Sequence, residues 1–283
     1  MNEIFREYTF ADGHRIGIGK RTLIMGILNF TPDSFFDGGK WNTLDKALRH
    51  IEEMAAEGAD IVDIGAESTR PGAVPLNPAE ECERLAPLLE RLIPRTPLPI
   101  SLDTYNPVTA ARFARNGIHM INDVWGLQGA AVAPTMAEIV AGSGLPVVVM
   151  HNGRGAVCTG DVIENIVNFF RRSLNIAAKT GIPAENIILD PGIGFGTNTP
   201  IDLTILRRLA ELKEVDGRPY PLLVGASRKR FIGETLGLDT TERLEGTLAA
   251  SMWSVMAGAN ILRVHDVQAH VRLCRMWEAI RDS

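Results

Sequence analysis

Glu57-Gly58-Ala59-Asp60-Ile61-Val62-Asp63-Ile64-Gly65-Ala66-Glu67-Ser68-Thr69-Arg70 contains the unit from which this chain is built. A glycine closes a helix-like stretch, one or two linker residues follow, and a short apolar run then breaks into polar, reactive side chains. Gly just past a helix supplies the left-handed backbone that ends it cheaply. A strand entered a few residues later is what a tight αβ loop produces. The glycine phrase recurs at Asn116-Gly117-Ile118-His119, Ser143-Gly144-Leu145-Pro146, Thr180-Gly181-Ile182-Pro183 and Ala257-Gly258-Ala259-Asn260.

The apolar runs repeat as regularly as the glycines. Leu23–Leu28 leads into Asn29-Phe30-Thr31-Pro32-Asp33, Pro99–Leu102 into Asp103-Thr104, and Met120-Ile121 into Asn122-Asp123. Val147–Met150 gives His151-Asn152, Asn186–Leu189 gives Asp190-Pro191-Gly192, Leu222–Ala226 gives Ser227-Arg228-Lys229, and Ile261-Leu262 gives Arg263-Val264-His265-Asp266. The runs are short and not clearly alternating, as expected of parallel strands buried on both faces. Between them lie amphipathic stretches at helical spacing: Leu44, Leu48, Ile51, Met54 and Ala55; Ile163, Ile166, Val167, Phe170 and Leu174; and Leu244, Leu248, Met252, Val255 and Met256.

Eight strands with intervening helices predict an α/β fold, a single (β/α)8 TIM barrel spanning residues 1–283. A doubly wound open sheet is the alternative, but its ligand residues would cluster at one switch point instead of ending every strand. Residues 3–18, with Phe5, Tyr8, Phe10, the turn Ala11-Asp12-Gly13, then Ile16 and Ile18, read as a β-hairpin that closes the barrel bottom. Residues 29–42 and 67–78 read as long polar loops at the opposite, functional end.

Bulk properties exclude several classes. A net charge of −5 with pI near 5.7 argues against a nucleic-acid binder, whose affinity rests on clustered cations. Three cysteines, Cys82, Cys158 and Cys274, without CxxC spacing, indicate reduced thiols in a cytoplasmic protein. Cys82 and Cys274 fit helix packing; Cys158 sits in a Gly-rich loop with no evident base beside it. No run reaches the ~18 apolar residues of a membrane span, and the start Met1-Asn2-Glu3-Ile4-Phe5-Arg6 lacks a signal pattern.

The chemistry sits at the strand ends. Asp103, Asn122 and Asp190 can accept from and donate to a planar heterocycle, since carboxylates accept and an amide does both. Asp103 and Asp190 can equally cap the turns that follow them. Arg70, Lys229, Arg263 and His265 form a cationic set suited to phosphate oxygens, near the seventh and eighth strands where barrels often bind phosphate. His265 reads as an anion ligand and not as a dyad with Asp266, because sequence neighbours diverge off a strand. His151 is as readily structural as functional. Phe195, between Gly194 and Gly196, can stack on an aromatic substrate or staple the next helix. The absence of HxH, HExxH or Cys/His clusters argues against a zinc enzyme.

From end to end the chain resembles dihydropteroate synthase. The resemblance is carried by Met25–Phe35, Asp63–Gly72, Ile100–Thr104, Ile121–Val124, Leu189–Phe195, Gly225–Lys229 and Arg263–Val267. It implies condensation of 4-aminobenzoate with 6-hydroxymethyl-7,8-dihydropterin diphosphate to 7,8-dihydropteroate and pyrophosphate, by an SN1-like route. Carried over by position, Asp103, Asn122, Asp190 and Lys229 would hold the pterin. Asn29 would ligate a Mg²⁺ carrying the diphosphate, with Thr69, Arg70, Arg263 and His265 on its oxygens. Ser227 joins the substrate-binding set, and Phe195 with the segment after Lys229 would flank the aminobenzoate. Asp103, Lys229, Arg263 and His265 would be the catalytic group.

The family is usually dimeric, so a homodimer is expected; Met252, Trp253, Met256 and Trp277 form a possible patch that core packing also explains. Phe30, Phe36, Trp125 and Arg230 depart from the residues most often found at those places. Phe36 would narrow sulfonamide access, and a Phe36→Ser variant tests that. Two rivals share the barrel: a pterin-dependent methyltransferase and a catalytically silent pterin-binding paralogue. The methyltransferase would not need Ser227-Arg228-Lys229, Arg70 and His265, and the intact motifs argue against the silent paralogue.

Overall fold

The computed structural model describes residues 4–31, 40–67, 76–129, 133–155 and 160–283. An antiparallel hairpin, β1 (Arg6–Thr9) and β2 (Arg15–Ile18), comes first. The parallel strands β3 (Leu23–Asn29), β4 (Ile61–Gly65), β5 (Ile100–Asp103), β6 (Met120–Asp123), β7 (Val147–Met150) and β8 (Ile187–Asp190) follow. A small ribbon, β9 (Glu214–Val215) and β10 (Arg218–Pro219), precedes the last two parallel strands, β11 (Leu223–Val224) and β12 (Ile261–Val264). The helices are α1 (Lys40–Glu57), α2 (Pro78–Leu92), α3 (Pro107–Ala114), α4 (Met136–Ser143), α5 (Val162–Thr180), α6 (Thr199–Arg207), α7 (Arg230–Leu236), α8 (Leu244–Met256) and α9 (Val267–Arg281).

The parallel sheet runs β11-β12-β3-β4-β5-β6-β7-β8. Leu189 bridges to Leu222, and its N–H donates to the Pro221 carbonyl at 2.9 Å, which joins the two edges into a closed barrel. This is the predicted (β/α)8 fold. Local signals agree with it: Asn77 and Glu80 make a capping box at α2 with Pro78 in the first turn, and Thr135 and Glu138 do the same at α4. Gly144 and Gly181 end α4 and α5 in the left-handed region.

Alternation along each strand then divides the core in two. Outward residues such as Ile64, Leu102, Ile121 and Val149 pack under the helices. Inward residues Met25, Ile61, Met120, Val148, Ile188 and Ile261 fill the lower barrel, joined there by Ile16 and Ile18 of the hairpin, with Tyr8 and Phe10 against them. The hairpin is the bottom plug, as expected, although Phe5 stays exposed and takes no part.

A polar clamp holds the plug. Asp12, on the hairpin turn, accepts from His119 Nε2 at 2.8 Å, from the His14 ring at 2.9 Å and from the His14 backbone N–H at 3.1 Å. His119 Nδ1 accepts from Ile100 N–H at 2.9 Å, so Nε2 carries the ring proton. The three side chains offer ligand atoms within 4.8 Å of one another, yet a protonated Nε2 is a donor and cannot bind a metal. Burial pushes the His119 pKa down against the pull of Asp12. The clamp is therefore at full strength above the ordinary histidine value and weakens as pH falls through the lowered one. Asp12→Ala leaves a buried N–H unpaired and should cost about 1–3 kcal/mol in urea unfolding. KM values should not move, since the site is at the other end of the barrel.

Helix α8 differs from expectation. Its buried residues are Thr247, Ser251, Ser254 and Val255, while Trp253 and Met256 are at least half exposed. Small residues face inward because the helix approaches closely: Thr247 Oγ1 accepts from Arg228 N–H at 3.0 Å, and Ser251 Oγ meets His270 Nε2 at 3.1 Å. Met252 and Trp277 do pack partly on the core. The ribbon β9–β10 was not anticipated, although Asp216-Gly217 is a hairpin signal. Cys82 and Cys274 are free and buried, as expected of packing residues; Cys158 lies outside the described residues. No helix among the described residues is long and apolar enough to cross a membrane.

Candidate active site

Two residues beyond the apolar lower layer, the same strand faces turn polar. Ile61 is followed by Asp63, Met120 by Asn122, Ile188 by Asp190 and Ile261 by Arg263, each two positions on and so on the same inward face. Asp103 ends β5 in register with Asn122 on β6. Arg263 Nε donates to Asp63 Oδ2 at 2.6 Å, and its Nη2 donates to Asp103 Oδ2 at 2.8 Å. Asn122 Nδ2 donates to the same Asp63 oxygen at 3.1 Å.

The carboxylates are here far from water: Asp63 is 0% exposed and Asp103 side-chain exposure is 12%. Burial pushes the Asp103 carboxyl up to about 7, with Arg263 opposing and Asp63 reinforcing the rise. Asp63 Oδ1, Asn122 Oδ1 and Ser101 Oγ are buried without a hydrogen-bond partner among the described residues, a rare condition that marks places where a ligand or water is taken up.

The β8 side carries Asp190 and Lys229. Asp190 Oδ1 accepts from Gly192 N–H at 2.8 Å, so the carboxylate does cap its own turn while facing the site. Burial raises its pKa, with Lys229 opposing. Lys229 Nζ donates to the Ile193 carbonyl and lies 4.7 Å from the centre of the Phe195 ring. Desolvation pulls its ammonium down to about 8.

Arg154 sits 4.8 Å from the same ring, so Phe195 meets two cations before any substrate. The Phe195 loop is tied to the β7 loop by Gly153 N–H donating to the Phe195 carbonyl at 3.0 Å. A Cβ on Gly196 would stand 2.3 Å from the Gly153 carbonyl carbon, a contact no side chain could survive. Arg230 reaches back to the Thr197 carbonyl at 2.7 Å.

The seventh and eighth barrel strands bring Ser227 and His265 together, with His265 Nδ1 2.9 Å from Ser227 Oγ and His265 N–H donating to that oxygen at 3.2 Å. Asp266 instead pairs with Arg228, whose Nε donates at 3.0 Å, so no His265–Asp266 dyad forms. Arg243 donates to the carbonyls of Arg228 and Leu238, each at 3.1 Å, and so braces the loop that carries Lys229. Asn29 ends β3 opposite Gly65 on the inward face. Thr69 and Arg70 lie outside the described residues, as does Phe36. His151 is structural: buried, its Nδ1 3.2 Å from the Pro191 carbonyl and its ring edge-on to Phe169, with burial pushing its pKa down to about 4.

Residues 25–265 match the family described as pterin binding enzyme. The dihydropteroate synthase of Bacillus subtilis is 43% identical over 261 residues, covering 92% of this chain and 89% of that protein. The chain belongs to the dihydropteroate synthase family. A crystal structure of the dihydropteroate synthase from Clostridium difficile in the presence of pteroic acid is 43% identical. It superimposes with a TM-score of 0.88, covering 93% of this chain and 98% of that one. The Xanthomonas albilineans dihydropteroate synthase with 4-aminobenzoic acid gives a TM-score of 0.89 at 39% identity, covering 96% and 97%.

Three residues of this synthase-family site were missed from sequence. Asp63 was read as the interior of an apolar run, although its two-residue offset from Ile61 was a usable signal. Arg243 gave none. Glu81, on α2, is buried and accepts from Thr104 Oγ1, Asn106 Nδ2 and Thr109 Oγ1 at 3.1, 2.7 and 2.6 Å, fixing the segment after Asp103. An acidic residue in a first helical turn is ordinary and discloses nothing.

Proposed function

We propose that this chain condenses 6-hydroxymethyl-7,8-dihydropterin diphosphate with 4-aminobenzoate, releasing pyrophosphate. The observation that carries the reading is the barrel-mouth set of Asp103, Asn122, Asp190, Lys229 and Arg263, all turned inward on one rim of a dihydropteroate synthase-family fold. Asp190 and Asn122 offer acceptors for the pterin amino and ring N–H groups, and Lys229 offers a donor for its carbonyl or ring nitrogen.

Reaction breaks the bond between the methylene carbon and the diphosphate oxygen, and the electron pair leaves with the diphosphate. The carbon left behind is cationic and conjugated to the pterin, beside the Asp103 carboxylate. The arylamine nitrogen gives its lone pair to that carbon and then sheds a proton to water. Arg263 and His265, with Thr69 and Arg70, are the diphosphate contacts of this reading; Ser227 keeps the His265 ring oriented. Phe195 borders the aminobenzoate, which requires Arg154 or Lys229 to yield part of the ring face.

Asn29 fits a role toward Mg²⁺. A single neutral amide oxygen on the rim suits a hard cation that keeps several waters and takes most other ligands from phosphate. When bound, that ion would offset charge on the leaving diphosphate. The chain's own part is to present the Asn29 amide and the neighbouring cations.

We read the protein as a cytoplasmic homodimer: its free cysteines suit a reducing compartment, and Trp253, Met256 and Leu203 leave apolar surface on α8 and α6. Binding of 4-aminobenzoic acid by a close structural relative favours the synthase over a pterin methyltransferase. The test is pyrophosphate release from purified protein with both substrates and Mg²⁺. Turnover that needs both substrates supports the reading; pterin binding without pyrophosphate release replaces it with a silent or methyl-transferring relative.

A further inference from the structure

The Arg263 guanidinium faces two carboxylates, one fully buried and one 12% exposed, so one positive charge is shared between two negative ones in a place largely removed from water. The sharing is unequal. Asp63 Oδ2 takes Arg263 Nε at 2.6 Å and also the Asn122 amide, while Asp103 holds only the far Nη2 at 2.8 Å. With Asp63 Oδ2 committed to Arg263 and Asn122, the cluster has one negative charge too many whenever Asp103 is ionised, and a cation arriving beside Asp103 restores the balance.

We infer that Asp63 is a positioning residue for the reaction: by occupying Arg263 it leaves the Asp103 charge available to the cationic methylene that forms when diphosphate departs. The inference rests on the synthase reading above. Asp63 does not reach the substrate methylene in this account; it acts through Arg263 and through the orientation of Asn122, whose Oδ1 is buried without a hydrogen-bond partner among the described residues.

The alternative is that Asp63 is only a structural counter-ion for a buried arginine, and the two roles separate in a pH profile. Asp103 is faced by Arg263 from β12, Asp63 from β4, Asp123 from β6 and Glu81 from α2. After burial, Arg263 is the main influence holding the carboxyl down, and the three acids all push it up. Removing the Asp63 charge therefore both deletes a like neighbour and releases Arg263 to neutralise Asp103. Both changes lower the pH at which Asp103 ionises, and both weaken its pull on the substrate cation.

The experiment is Asp63→Asn, a near-isosteric change, in the full-length protein with both substrates and Mg²⁺, beside wild type. Wild-type turnover establishes the synthase reading independently of the variant. The acidic limb of kcat/KM against pH should move down by about one unit in Asp63→Asn. Its kcat should fall roughly 10- to 100-fold with KM for 4-aminobenzoate unchanged. An acidic limb that stays in place overturns the inference, whatever happens to the rate, because a structural counter-ion alone would lower activity without moving it. If Asp63→Asn does not fold, Asp63→Glu carries the test: the charge is kept but displaced, so the limb should stay while kcat falls. Wild-type kcat in Asp63→Glu would overturn the positioning role.

Discussion

Arg263→Ala should lower the unfolding free energy by about 3–5 kcal/mol at about pH 8, the cost of leaving buried carboxylates without their cation. The guanidinium is the shared partner of Asp63 and Asp103, and neither carboxylate forms another ion pair among the described residues. Without it the Asp103 carboxyl, already raised by burial, loses the charge that opposes the rise, so the folded state binds an extra proton as pH falls. The destabilisation should therefore shrink on going from about pH 8 to about pH 5.5. Urea melts of variant and wild type at the two pH values measure it. A loss under about 1 kcal/mol at the higher pH would place the pair in the weak class of exposed ion pairs. Activity should vanish with the stability, since the same guanidinium faces the proposed diphosphate.

Lys229→Ala should lose most of the activity while the fold persists. Its ammonium is desolvated enough that the pKa sits near 8, so removing it relieves a burial penalty along with the loss of its bond to the Ile193 carbonyl. A substrate hydrogen bond from a charged donor in a dry site, together with the charge opposite Asp190, accounts for roughly 10²- to 10³-fold in kcat/KM. Steady-state pyrophosphate release and a thermal melt on the same preparation separate the two effects. In wild type, kcat/KM should decline above about pH 8 as the ammonium deprotonates. A variant with wild-type kcat/KM would remove Lys229 from the site.

The barrel was legible because its signals are local. A helix-ending glycine, a strand of two to seven residues and a polar exit all lie within a stretch such as Glu57–Arg70, and nothing distant is needed to interpret them. The bottom plug was legible for the same reason, from Tyr8, Phe10, Ile16 and Ile18 about a Gly-containing turn. Asp103, Asn122, Asp190, Lys229, Arg263 and His265 stood out as polar groups directly after apolar runs, and the fold does gather them on one rim. The inward face of α8 was misread because close packing there selects Thr247, Ser251 and Ser254 over the larger residues at helical spacing, a choice made by α9 and by the Arg228 loop.

What the chain sets locally is therefore which side chains reach the mouth of the barrel, through alternation along each strand. Which of them meet is settled only when the sheet closes. Asp63 and Arg263 are 200 positions apart in sequence, yet β4 and β12 both pair with β3, so the two residues face each other across a single strand. Charge and burial then act on the assembled pair: a carboxylate that would be ordinary on an exposed strand is here fully buried beside one shared guanidinium, where it holds Arg263 and pushes the Asp103 carboxyl up.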